Sequence, residues 1–146
     1  MAYEDFQQNA LVTRYDDIYL VAGARTPFAD YNGVLRDVNP IDLGIFAARA
    51  LFERSGIPAA LVQSVVAGNM AQAGFDAYYL PRHIGLYAGV PATAPAMLAT
   101  RICGTGFETI LTAADHITLG KASVVLCVGA ESMSRNPVAA YTHRAG

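Results

Sequence analysis

The chain has no tryptophan, only two cysteines, three histidines and a charged fraction of 15% over 146 residues. Two cysteines cannot build the disulfide framework of a small secreted domain. Ten basic against twelve acidic residues leave a net charge of −2, with no basic excess for a nucleic-acid or anionic-membrane surface. No apolar run approaches the roughly 18 residues of a membrane span. The cysteines and histidines are too scattered for a zinc-site spacing, so no metal is expected. The opening stretch MAYEDFQQNALVTRYDD holds four acidic residues and one arginine. It has neither the apolar core of a signal peptide nor the Arg-rich pattern of a transit peptide, so the expected compartment is the cytoplasm.

What the chain does have is apolar content, 53% of its residues, more than an average soluble domain carries. That content falls in alternating short runs and longer periodic ones. Residues 1–17 read as a polar extension, and residues 18–146 as the folded domain. Ile18–Ala22, Gln63–Gly68, the run APAMLATRI and the run SVVLCVGA read as four strands. The last is continuously apolar, as a parallel strand covered on both faces should be. Between them lie helical segments. NPIDLGIFAARALFERSG has Asn39 as N-cap, Pro40 in the first turn and Gly56 as left-handed stop. Its polar residues Asp42, Arg49 and Glu53 share one face, which predicts that most of the helix is covered. DAYYLPRHIGLYAG is a shorter helix starting near Pro81. GTGFETILTAADHITLG is a long one ended by Gly120, with Glu108, Thr112 and Asp115 on one face. Strands alternating with helices predict an α/β fold with a mainly parallel sheet.

Cys103 falls where the third strand ends and a helix begins. In open α/β sheets ligands collect at the carboxyl ends of strands. Unpaired N–H groups and the positive end of a helix dipole also favour a thiolate there. Gly104 and Gly106 leave the sulfur open to approach, which suits a nucleophile that forms an acyl-thioester. The plainer alternative is a small buried thiol, the usual fate of a free cysteine. Cys127, in the middle of the fourth strand, reads as buried and structural. Competing motifs fail on single residues. A dinucleotide fingerprint would need glycine at Thr109. A nucleophile elbow would need glycines at Arg101 and Thr105. A cysteine phosphatase loop would need arginine at Thr109.

A nucleophilic cysteine wants a base. His116 is 13 residues further along the same helix, about 20 Å away at 1.5 Å per residue. His83 beside Arg82 reads as a surface or half-buried residue, and nothing fixes His143. The base is therefore expected outside this chain.

The segments VAGARTPFADYNG, GNMAQAG, RICGTGFETI and VGAESMSRNP, in that order and at about that spacing, resemble the N-terminal half of the thiolase family over roughly residues 18–140. The resemblance implies a thiolase-like α/β half with flanking and buried helices, holding four of the family's five strands. The family's strand order is taken as 3-2-1-4-5, so the fifth strand is missing and the edge of SVVLCVGA is bare. It implies an acyl-CoA C-acyltransferase, acting in fatty acid metabolism by thiolysis of a 3-ketoacyl-CoA or by Claisen condensation of acetyl-CoA. Cys103 would be the acylated residue, with its own N–H in an oxyanion hole. Coenzyme A thioesters would be substrates, with no permanently bound cofactor. The partners implied are acyl-CoA, a second copy of the chain in a dimer or tetramer, and a missing C-terminal half. That half would bring the family's Gly-His-Pro histidine, its second cysteine and its Asn-Glu-Ala-Phe asparagine, none of which occurs here.

Thr105 departs from the family's usual serine, Phe107-Glu108-Thr109 and AYYLPRH depart from its usual segments, and all three bear on substrate preference. Glu108 lies either one turn from the sulfur or simply exposed. Glu131, Ser132 and Ser134 are expected to bond local backbone as architecture. Arg25 of RTPF is expected to pair with a carboxylate. A ketoacyl-synthase-like condensing enzyme is the alternative within the same class, and a non-catalytic structural or binding half is the alternative outside it.

Overall fold

The computed structural model describes residues 12–72, 74–138 and 140–141. Its elements run α1 (Pro40–Ser55), β1 (Ser64–Gly68), α2 (Leu80–Tyr87), β2 (Ala96–Ala99), α3 (Thr105–Thr118) and β3 (Val125–Gly129). Single 3-10 turns occupy Ala59–Leu61, Ala77–Tyr79 and Met133–Arg135.

Both ends of α1 follow from their residues. The Asn39 side chain accepts from the Asp42 N–H at 2.8 Å and donates to the Asp42 carboxylate at 2.6 Å. Pro40 needs no N–H partner in the first turn. At the other end Gly56 takes φ 69° and donates to the Phe52 carbonyl at 3.0 Å, a left-handed stop that glycine adopts without steric cost. Coverage is less complete than the polar face suggests, because Phe46 is 54% exposed.

The sheet is parallel in the order β2-β1-β3. Successive strand side chains point to opposite faces, and β1 is buried on both. Val65 and Ala67, with Leu126 and Val128 of β3, join Ile45, Ala48, Leu80 and Ile84 in one apolar cluster under α1 and α2. Ser64 and Gly68 face α3 instead. The Ser64 hydroxyl lies 3.3 Å from His116 Nδ1, and Gly68 lies against Thr105. The result is a three-layer arrangement with α1 and α2 on one side and α3 on the other. Arg49 ties α1 to α2 by donating to the Tyr87 carbonyl at 2.8 Å. Arg82 ties α2 to the approach of β2 through the Ala92 and Ala94 carbonyls at 2.7 and 2.8 Å.

The expected first strand is the main correction. Ile18–Ala22 pairs with no strand, and Tyr19, Leu20 and Val21 are 75, 78 and 77% exposed. An apolar run becomes a strand only where a sheet edge supplies its hydrogen bonds. The order 3-2-1-4-5 would seat this run against β1. Both edges of β1 are already taken, by β2 from Val65↔Ala96 to Gly68↔Ala99 and by β3 from Ser64↔Val125 to Gly68↔Gly129. The run lies instead across an open cavity from β3. Three strands therefore stand among the described residues, not four. β3 has β1 as its one strand neighbour there. Of the polar extension, residues 1–11 lie outside the described residues.

Ile84 carries the α1–α2–sheet junction. It is fully buried, and its Cδ1 and Cγ1 occupy the space a side chain at Gly44 would need. Ile84→Ala should lower unfolding free energy by about 2–5 kcal/mol, read as an earlier urea midpoint with an unchanged slope.

Candidate active site

The carboxyl ends of β1 and β3 finish in glycine, and the two are register partners. A Cβ at Gly68 would run into the Thr105 methyl and come within 2.9 Å of the Ala99 carbonyl. A Cβ at Gly129 would come within 3.3 Å of Gly106 Cα. With neither Cβ present, the first turn of α3 settles directly on the ends of the central strands. Thr105 and Thr109 are 5 and 1% exposed there.

Cys103 stands on the short link between β2 and this first turn, and it is exposed. The link is bent tightly. Ile102 has φ 48°, a left-handed conformation that is a genuine outlier for a β-branched residue. The Gly104 N–H donates to the Arg101 carbonyl at 2.9 Å and the Thr105 N–H to the Ile102 carbonyl at 3.1 Å. The Thr105 hydroxyl accepts from the Arg101 N–H at 2.8 Å and donates to the Ile102 carbonyl at 2.6 Å. Cys103 opens onto a cavity of about 940 Å³, also lined by Met70, Gly68, Gly129 and Glu131 and by the 19–31 segment.

The walls of this cavity are joined by hydrogen bonds from distant parts of the chain. Glu131 accepts from the Met70 N–H at 2.7 Å and from the Asn69 amide at 3.1 Å. Asn69 is 2% exposed. It also donates to the Ala130 carbonyl at 2.9 Å and accepts from the Gln72 N–H at 2.7 Å. Ser132 donates to the Val38 carbonyl at 2.7 Å, and Ser134 accepts from the Asn32 N–H at 2.8 Å. Glu131, Ser132 and Ser134 thus bond backbone as expected, but their partners lie in other loops and not nearby in sequence.

The two described histidines stand apart from the thiol. His116 pairs with Ser64 at the amino end of β1, whereas Cys103 lies by the carboxyl end, about 13 Å away at 3.3 Å per strand residue. His83 Nε2 lies 3.1 Å from an Asp76 carboxylate oxygen, and its ring stacks on Tyr87. It does not line the cavity. His143 lies outside the described residues. Glu108 is held by Arg101 at 3.2 Å with its side chain 27% exposed. Among the described residues Arg25 pairs with no carboxylate. It donates to the Thr26 carbonyl at 3.1 Å and lies 5.0 Å over the Phe28 ring, a cation–π contact that an exposed loop can form without desolvating the guanidinium. No group of three or more His, Cys, Asp and Glu among the described residues could hold a metal ion. No helix there is long and apolar enough to cross a membrane.

Cys127 is the contrasting thiol. Burial pushes it up to about 11, so it stays protonated and inert at neutral pH. The sequence reading named Cys103 but missed Gly68, Gly129, Asn69 and the clamp made by Thr105. The available signal was a small residue closing two strands at the same level, with a turn-forming asparagine straight after one of them.

This geometry has known counterparts. Residues 18–146 match the family model described as thiolase, N-terminal domain. The mitochondrial 3-ketoacyl-CoA thiolase of Homo sapiens is 42% identical over 129 residues, which are 88% of this chain and 32% of that protein. The beta-ketothiolase of Cupriavidus necator is 38% identical over 130 residues, 89% of this chain and 33% of that protein. The crystal structure of the human mitochondrial enzyme in complex with CoA superposes with a TM-score of 0.83 at 43% identity, covering 86% of this chain and 32% of that one. These strand–turn–helix features are therefore those of an α/β thiolase-type domain. The chain belongs to the thiolase family, as its N-terminal domain, and spans about a third of the length of the relatives it matches.

Two outcomes follow. Gly68→Ala should push Thr105 off the sheet, cost about 1–3 kcal/mol of stability, and change the rate at which iodoacetamide alkylates Cys103. Cys127 titrates lower in the unfolded chain than in the folded one. Above the unfolded value the unfolded chain has lost a proton that the folded chain keeps, so stability falls as pH rises from about 9 to about 11. Cys127→Ala should flatten that part of a urea-midpoint profile.

Proposed function

We propose that this chain supplies the nucleophile of a thiolase-type acyl-CoA C-acyltransferase. The observation that carries the reading is the exposed Cys103, set at the start of α3 and open to a cavity at the carboxyl ends of a parallel sheet. Membership of the thiolase family supports it. In thiolysis the Cys103 sulfur attacks the 3-keto carbon of a 3-ketoacyl-CoA. The bond between the 2 and 3 carbons breaks, acetyl-CoA leaves after protonation, and the acyl group passes from sulfur to a second coenzyme A. Condensation of two acetyl groups runs the same bonds in reverse. The Cys103 N–H, on the link just ahead of α3, is the donor proposed for the developing oxyanion.

Coenzyme A thioesters are the proposed substrates. A solved relative carries CoA, and that protein's name specifies 3-ketoacyl-CoA. Neither His83 nor His116 stands near the sulfur, which favours a site completed by residues beyond this chain and no full turnover by the chain alone. We place the working form in a homo-oligomer, in the cytoplasm, where a reducing medium keeps Cys103 and Cys127 free.

Incubating the full-length protein that carries this chain with acetoacetyl-CoA, followed by peptide mass spectrometry, should place one acetyl group on Cys103. Cys103→Ala should carry none. An adduct that persists in that variant, or no adduct in the wild type, overturns the reading.

A further inference from the structure

We infer that Thr105 is a positioning residue for Cys103: its hydroxyl holds Ile102 in the left-handed conformation, and that conformation aims the Cys103 side chain into the cavity. The inference rests on the proposed nucleophilic role of Cys103.

The bend needs something to hold it. Isoleucine at φ 48° carries a backbone cost that persists only where the surroundings over-determine it. Its own side chain does not do so, because Ile102 is 62% exposed and gains little from burial. Gly104, which precedes the first residue of α3, has no side chain to cap the helix. Two backbone hydrogen bonds, from the Gly104 N–H to the Arg101 carbonyl and from the Thr105 N–H to the Ile102 carbonyl, close the turn, and one buried hydroxyl adds the side-chain restraint. Thr105 Oγ1 accepts from the Arg101 N–H at 2.8 Å and donates to the Ile102 carbonyl at 2.6 Å. Those two groups bracket Ile102, and holding both leaves its backbone no freedom to swing back. A hydroxyl can donate and accept at once, and this one does both.

The threonine is itself fixed from the other side. Its methyl sits in the space that the missing side chain of Gly68 leaves open. The hydroxyl therefore cannot rotate away without moving the methyl off the strand end. Through these contacts the position of the thiol is referred to the central strand of the sheet. Both ends of the Thr105 side chain are thus used: the hydroxyl holds the link, and the methyl rests against the strand end.

The test uses Thr105→Val, which keeps the shape and removes the hydroxyl; Thr105→Ser, which keeps the hydroxyl; Ile102→Gly, which adopts the bend without a Cβ penalty; and Ile102→Gly combined with Thr105→Val, all in the full-length protein. Hydrogen exchange at the Arg101 amide reads the clamp directly. Single-turnover acylation by acetoacetyl-CoA and alkylation by iodoacetamide read the thiol. Thr105→Val should speed Arg101 exchange and slow acylation by about tenfold, the size of effect that backbone strain of this kind commands. Thr105→Ser should restore both. In the Ile102→Gly background the valine should cost about threefold or less, because the strain it releases is already gone. Unchanged Arg101 exchange in Thr105→Val overturns the inference. So does an equal acylation penalty in both backgrounds, the mark of simple packing loss. If the wild type is alkylated at Cys103 but takes no acyl group, the functional reading fails. Exchange and alkylation then decide the clamp: a change in both with valine, restored with serine, supports it, and unchanged rates overturn it.

Discussion

The close approach of α3 to the sheet depends on two missing Cβ atoms. Gly68 and Gly129 end adjacent parallel strands at the same register level. Only because neither carries a side chain does the first turn of the helix sit on the strand ends. The position of the helix start sets that of Thr105, Thr105 braces Ile102, and the bend at Ile102 sets the direction of Cys103. Van der Waals exclusion at the bottom of this stack is steep, so the geometry above it is defined on the scale of a methyl group.

Around that stack the cavity wall is joined by hydrogen bonds between loops far apart in sequence. Asn69 and Glu131 bring the exits of β1 and β3 together. Ser132 and Ser134 fasten the second of these loops to residues 38 and 32. Asn69 is nearly inaccessible and yet fully engaged, as a buried amide must be if it is not to cost the fold its desolvation. The two cysteines differ in burial. Cys127 lies half-buried in the sheet and is held protonated, whereas Cys103 stands in the open at the end of the sheet.

How much of this was legible in the residues depended on whether the cause was local. The caps of α1 are written in Asn39, Pro40 and Gly56, and they appear as read. The stop at Gly120 adopts its left-handed φ, and Cys103 falls at the expected strand–helix join. What local pattern cannot carry is which edge a strand finds. Ile18–Ala22 has the composition of a strand, but β1 has no free side for it. Arg25 went astray for a similar reason, since a charged side chain on an open loop takes the nearest acceptor and ring when no carboxylate is brought to it. Thr105 was visible only as a departure from serine. Its two hydrogen bonds depend on the φ of its neighbour, which no periodicity encodes.

The strand order bears on how the chain assembles as it is made. Among the described residues the earliest strand, β1, is the central one, and both of its neighbours come later in the chain. At roughly 5–20 residues per second β3 leaves the ribosome a few seconds after β1. For that interval a strand that ends up buried on both faces has one or both edges open. Parallel pairing across such separations is slow and leaves unpaired strands exposed to aggregation. During synthesis, the strand that later supports the turn at Cys103 is thus a part of the nascent chain that benefits from a chaperone's cover.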